Sequence, residues 1–202
     1  SLCDWSSDVC SSDLKGKAGK TEVLPVAGQL LNPSWSEDGQ QLLVLRGQPT
    51  DVSPDLVSVP SYELLLLKKD KKGWLPPVYV TTVANRGSGM RGPHPYFHEN
   101  RVWLVEDQFP EPRAPEQSVL ASYALDGSDR REHLHFNSAE EVVPSPDFRW
   151  IAYKSHHQGY LTAFPRAPKV VDVDSLPVQP LTQVVGDWLA WSPDSKSLSW
   201  ME

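Results

Sequence analysis

The sequence predicts an all-β fold in which short antiparallel strands follow one another in a repeated order. Three observations carry this expectation. First, one phrase recurs four times: a small or polar residue, Pro or Ser, then Asp or Asn at a tight turn, then an apolar strand rich in Trp. It reads Ser34-Trp35-Ser36-Glu37-Asp38-Gly39 before Leu42-Leu43-Val44-Leu45, and Pro95-Tyr96-Phe97-His98-Glu99-Asn100 before Val102-Trp103-Leu104-Val105. It reads Pro144-Ser145-Pro146-Asp147 before Trp150-Ile151-Ala152-Tyr153, and Trp191-Ser192-Pro193-Asp194 before Leu198-Ser199-Trp200. Second, the turn residues Asn100, Asp147 and Asp194 are spaced by 47 and 47 residues. Third, Pro is high (19) and Gly modest (12), as suits many short strands joined by turns, and no segment longer than about ten residues shows a clean helical period. A fixed period near the length of one four-stranded blade is the signature of a β-propeller. The expected fold is therefore an incomplete β-propeller of four-stranded antiparallel blades, with about four blades represented.

The first residues stand apart. Asp4-Trp5-Ser6-Ser7-Asp8-Val9-Cys10-Ser11-Ser12-Asp13-Leu14 matches the translation of a common sequencing-adapter oligonucleotide. It lacks the basic and apolar regions of a signal peptide. Residues 1–14 are expected to be an artefactual leader outside the fold, and 15–202 a partial propeller truncated at both ends. Both cysteines, Cys3 and Cys10, belong to or adjoin that leader, so no disulfide framework or thiolate site is expected. Without Asp4, Asp8 and Asp13 the net charge of −7 becomes −4, which argues against nucleic acid as a partner. No apolar run approaches the roughly 18 residues of a membrane helix.

Along the chain, the blade pattern is expected to begin at Leu30. The phrase with Asp suits the hairpin between the two inner strands, where Asp and Gly tolerate positive φ. Asp38-Gly39 fits a two-residue turn best and Glu99-Asn100 acceptably. Asp147-Phe148 and Asp194-Ser195 lack the Gly, and a type I turn with Pro at its first central position accounts for both. Tyr62 to Lys68 reads as a strand ending at Asp70-Lys71-Lys72-Gly73, with β-branched Val78 to Val83 as its partner. Ser118 to Leu125 leads through the hairpin signal Asp126-Gly127 to Arg131 to Phe136. Tyr160 to Phe164 and Pro180 to Val184 continue the scheme. The Pro-bearing stretches Gly47 to Pro60 and Gln108 to Glu116 read as loops.

Few residues suggest chemistry. His133 and His135 alternate on a strand, which would point both rings to one face and could start a zinc site. No third ligand has suitable spacing, and a solvent-facing pair on an outer strand is favoured. His156-His157 are expected at a blade rim. Ser145 and Ser192 have no Gly-x-Ser-x-Gly elbow, so their hydroxyls are expected to bond the turn backbone. Trp35, Trp103, Trp150, Trp188, Trp191 and Trp200 are expected to fill the space between blades. Gly87-Ser88-Gly89 with Arg86 and Arg91 lacks the ending of a phosphate loop. No catalytic, cofactor-binding or metal-binding residue is assigned within the chain.

The repeats resemble the bacterial TolB-like family of WD-type β-propellers. A longer ordered series is more specific. It runs through Leu125-Asp126-Gly127-Ser128-Asp129-Arg130-Arg131, Glu141-Val142-Val143-Pro144-Ser145-Pro146-Asp147, Tyr160-Leu161-Thr162-Ala163-Phe164-Pro165 and Gly186-Asp187-Trp188-Leu189-Ala190-Trp191-Ser192. It resembles the propeller preceding the catalytic barrel of large secreted bacterial amidohydrolases. That resemblance implies a non-catalytic scaffold, access or assembly portion of a periplasmic or secreted hydrolase. It also implies a divalent metal, zinc, in a following (β/α)₈ barrel whose first strand carries His-x-His. The partners it implies are that catalytic domain and further blades. His133-Leu134-His135 is not that motif, because blades follow it. Two alternatives stay open: a TolB-like propeller that binds protein partners, and the propeller of a prolyl-oligopeptidase-type serine peptidase.

Overall fold

Short apolar runs set between turn residues become strands here because each run is covered on both sides. The structure, a computed structural model, describes residues 22–47, 61–84, 94–108, 117–137, 139–166, 169–183 and 189–200. The adapter-like segment with both cysteines lies outside the described residues. So do 48–60, the Gly87-Ser88-Gly89 stretch, 109–116, and Gly186-Asp187-Trp188. Among the described residues every element is a strand except one three-residue 3-10 turn, Val173–Ser175.

The strands form consecutive antiparallel sheets in sequence order. The first holds β1 (Leu30–Trp35), β2 (Gln41–Gly47), β3 (Ser61–Asp70) and β5 (Val78–Ala84), with the short β4 (Gly73–Trp74) folded back on the end of β3. The second holds β6 (Tyr96–His98), β7 (Arg101–Gln108), β8 (Gln117–Ala124) and β9 (Arg131–Asn137). The third holds β10 (Ala139–Pro144), β11 (Trp150–Ser155), β12 (Gln158–Ala163) and β14 (Val178–Gln183). A fourth is a hairpin of β15 (Ala190–Trp191) and β16 (Leu198–Ser199). Three four-stranded meanders and one hairpin thus follow one another along the sequence. An addition not foreseen is β13 (Val171–Asp172), which pairs parallel with β9. The connection inside the third sheet reaches back to cover the outer edge of the second, and an uncovered edge is an open template for pairing. Buried Val173 and the Asn137 amide donating to Asp174 at 2.8 Å hold it there.

Alternate residues of one strand serve two cores. In β2 and β3, Leu43, Leu45, Leu64 and Leu66 face the second sheet, where Val102, Leu104, Val119 and Ala121 meet them. Their neighbours Leu42, Val44, Leu65 and Leu67 face the other way, under Leu24, Val26 and Trp74. The second sheet repeats this: Trp103, Leu120, Leu134 and Phe136 point to the third sheet and meet Val142, Phe148, Ile151 and Tyr153. Burial on both faces is why these strands read as unbroken apolar runs and not as alternation.

The third sheet and the hairpin after it are joined by hydrogen bonds at a constant offset. The Leu189 amide donates to the Glu141 carboxylate (3.2 Å), the Trp191 indole to the Val143 carbonyl (3.0 Å), and the Asp147 amide to Ser195 Oγ (3.1 Å). Each pair is 48 residues apart, so one repeat grips the next at matching places. Trp191→Phe keeps the ring and removes the donor. It is expected to cost about 1 kcal/mol, read as a lower urea midpoint with an unchanged m-value.

The recurring turn has one construction in three copies. Ser36, Ser145 and Ser192 each donate from Oγ to the Asp two residues on, at 2.6, 2.7 and 2.7 Å. Each Oγ also accepts the amide five residues on: Gln41 at 2.9 Å, Trp150 at 3.1 Å and Ser197 at 2.9 Å. The amide of the fourth turn residue (Gly39, Phe148, Ser195) closes on the Ser carbonyl. That fourth residue takes positive φ in every copy: 66° at Gly39, 51° at Phe148 and 59° at Ser195. Two expectations change. Asp38-Gly39 is not a two-residue turn, and Pro in the other copies does not remove the need for a left-handed residue. The fourth copy differs: Glu99 (φ 50°) and Asn100 (φ 56°) form a two-residue loop between paired His98 and Arg101, the type I′ requirement. The equal 47-residue spacing therefore joins turns of two kinds. His156 and His157 also both take positive φ, in a two-residue loop between paired Ser155 and Gln158.

Candidate functional site

The inner-hairpin turns of the second and third sheets, together with the residues that end β12, surround an open pocket of about 730 Å³. Its position follows from the strand order. The first two strands of each meander turn at this end, and so do the third and fourth, so turns of two adjacent sheets meet here. Its floor is aromatic. Trp103 of β7 stacks on His133 of β9, with ring centroids 4.2 Å apart. His98 stacks on Phe148 at 4.0 Å with planes 9° apart, and Trp103 lies 5.0 Å from Phe148 and 5.7 Å from Phe164. The Trp103 indole donates to the His98 carbonyl at 3.1 Å, which fixes its ring.

His133 reaches this floor because of a β-bulge. Leu120 pairs with Leu134 but Ala121 pairs with Glu132, so His133 has no opposite residue. A bulge adds one residue to one strand and re-aims its side chain. The expectation that His133 and His135 share a face is therefore corrected. His133 joins Trp103 on the side facing the third sheet, while His135 bonds Glu132 at 3.1 Å. His133 is not the solvent-facing residue that was favoured; it is half-buried. Among the described residues no group of three His, Cys, Asp or Glu is placed to hold a metal ion, and the separated pair does not fit one.

Charge surrounds the floor. Arg101 donates from Nε to Ser122 Oγ at 2.9 Å and pairs with Asp129 at 2.9 Å. Arg131 meets the same Asp129 at 2.5 Å. Arg149 lies 3.6 Å from Asp147 and is largely exposed, and Arg166 stands on the pocket wall. Buried Ser122 Oγ accepts from Arg101 Nε and shares a hydrogen bond of 2.8 Å with His133 Nε2. Burial pushes His133 down to about 4, and the positive Arg101 and Arg131 push in the same direction. Burial also lowers His98. Both rings are thus held neutral, in keeping with their role as stacking surfaces.

A neutral His133 gives a pH test. The unfolded chain binds a proton near the ordinary 6.5, whereas the folded chain resists it down to about 4. The contribution to stability is complete above the unfolded value and is lost as pH falls from 6.5 toward 4. Imidazole resonances followed by NMR are expected to show His133 titrating near 4.

Ser145 and Ser192 bond the turn backbone as expected. Trp103 fills an inter-sheet core, but Trp35 is 47% and Trp150 41% exposed, so neither does. Trp35 instead lies 5.8 Å from Trp74. Sequence reasoning missed Phe148, Phe164 and the arginines. One signal could have found the first: the turn position that holds Gly39 and Ser195 in two copies holds an aromatic ring here.

No family model matches the chain, and no curated protein matches it.

Proposed function

We propose that the chain is part of a β-propeller and serves as a non-catalytic scaffold, access or assembly portion of a secreted bacterial amidohydrolase-like, metal-dependent hydrolase. The fold half of this reading rests on one observation: successive meanders in sequence order, with the third sheet and the hairpin after it joined at a constant offset of 48 residues. Blades around an axis repeat in this way. The hydrolase half rests on the resemblance of the ordered series from Leu125 to Ser192, which includes Phe164-Pro165 at the pocket wall. Function would then reside in a neighbouring domain that the blades shield or position.

The test is the coding sequence on the 3′ side of codon 202. The reading expects an in-frame (β/α)₈ barrel whose first strand carries His-x-His, and zinc-dependent hydrolysis by the extended protein. A Gly-x-Ser-x-Gly hydrolase domain would replace it with the serine peptidase. A stop codon directly after the propeller would replace it with a TolB-like binding module.

A further inference from the structure

We propose that the pocket between the second and third sheets binds a small planar anion. Its aromatic or heteroaromatic ring would rest on the Trp103, His133 and Phe164 surface, and its carboxylate or phosphate would be met by Arg149 and Arg166 at the mouth. This goes beyond the scaffold reading and does not depend on it.

Four observations converge. The volume of about 730 Å³ lies within the range of small-molecule sites. The floor is aromatic, with three rings presented from β7, β9 and the end of β12. Two of the surrounding arginines, Arg101 and Arg131, both pair with Asp129. Among the described residues the other two have donors to offer: Arg149 makes a long pairing of 3.6 Å with Asp147, and Arg166 on the pocket wall bonds no described residue. Guanidinium groups suit carboxylate and phosphate because their donors form a planar fork.

The pocket is also not a property that every repeat shares. The corresponding groove between the first and second sheets is lined by Lys68, Glu99, Asn100, Arg101 and Asp126, without an aromatic ring. The aromatic character comes from a departure from the repeat. Phe148 sits at φ 51°, where Gly39 and Ser195 stand in the other copies. A left-handed conformation is strained for an L-residue, and strain of this kind concentrates at functional sites. Here it places a ring beneath His98 and Trp103.

Calorimetry on the full chain with four probes tests the proposal: indole-3-acetate, phenyl phosphate, indole and acetate. At least one of the two ring-bearing anions is expected to bind ten-fold or more tightly than both the neutral ring and the ring-free anion. Whichever ring-bearing anion binds more tightly identifies the headgroup. The double variant Arg149→Ala/Arg166→Ala, which changes only exposed side chains, is expected to weaken binding at least ten-fold with an unchanged melting profile. NMR supplies a second readout: the Trp103 indole N–H should shift on binding and the Trp191 indole N–H should not. The proposal is overturned by no binding of either ring-bearing anion, by equal binding of indole, by equal binding of acetate, by an unchanged affinity in the double variant, or by shifts confined to residues outside the pocket.

Discussion

Gly127→Ala is expected to destabilise the protein by about 3 kcal/mol or more, whereas Gly39→Ala costs about 1 kcal/mol. Both glycines have positive φ, 84° and 66°. They differ in their surroundings. A Cβ on Gly127 would stand 2.3 Å from the Val80 carbonyl oxygen, while one on Gly39 meets nothing within 4 Å. The Gly39 variant therefore isolates the conformational cost, and the excess at Gly127 measures how closely the β8–β9 turn approaches β5 of the first sheet. Because the obstacle is backbone, it cannot rotate away, and the first two sheets must separate. Urea unfolding of the two variants checks this. Equal losses in both would mean that the turn does not press on the neighbouring sheet.

Ser145→Ala is expected to cost about 2–3 kcal/mol, several times the effect of the same change at Ser36 or Ser192. Ser145 is fully buried. Its hydroxyl donates to Asp147 and accepts the Trp150 amide, so removal leaves a part-buried amide and a carboxylate without their partner. The other two serines are half-buried and water can replace them. The substitution also has a pH signature. The Ser145 hydroxyl is the main cause holding the Asp147 carboxyl below its ordinary value, and Ser36 and Ser192 do the same for Asp38 and Asp194. A depressed carboxylate stabilises the fold above its unfolded pKa and ceases to do so as pH falls through the folded value. These turns therefore contribute to acid unfolding below about pH 4, and in the Ser145 variant Asp147 should titrate closer to 3.8. Carboxyl chemical shifts followed by NMR read this directly.

The strands were legible because their physics is local. Leu42 to Leu45 and Leu64 to Leu67 are unbroken apolar runs since each strand is covered on both faces. Ser-x-Asp marked its turns since the side chains supply the turn's own hydrogen bonds. The site was less legible. The bulge at His133 depends on the register of β8 against β9, which no alternation of residues announces. Arg149 and Arg166 share a pocket with Trp103 only because adjacent sheets stack turn against turn. β13 was invisible for a similar reason: two residues pair with a strand more than thirty positions earlier. Trp35 and Trp150 misled because a Trp beside a turn can lie at the exposed end of a sheet as readily as between sheets.

The central claim is that the successive sheets curve around a common axis, and distances between spin labels test it most directly. Labels are placed in pairs at Glu37, Glu99, Pro146 and Pro193, one in the inner turn of each sheet, with Cys3 and Cys10 replaced by Ser. The three neighbouring steps are expected to be nearly equal. The distance from the first turn to the fourth is expected to be only about 2 to 2.4 times one step, the chord of a ring of six to eight blades. A first-to-fourth distance near three steps would describe a flat stack of sheets and contradict the account.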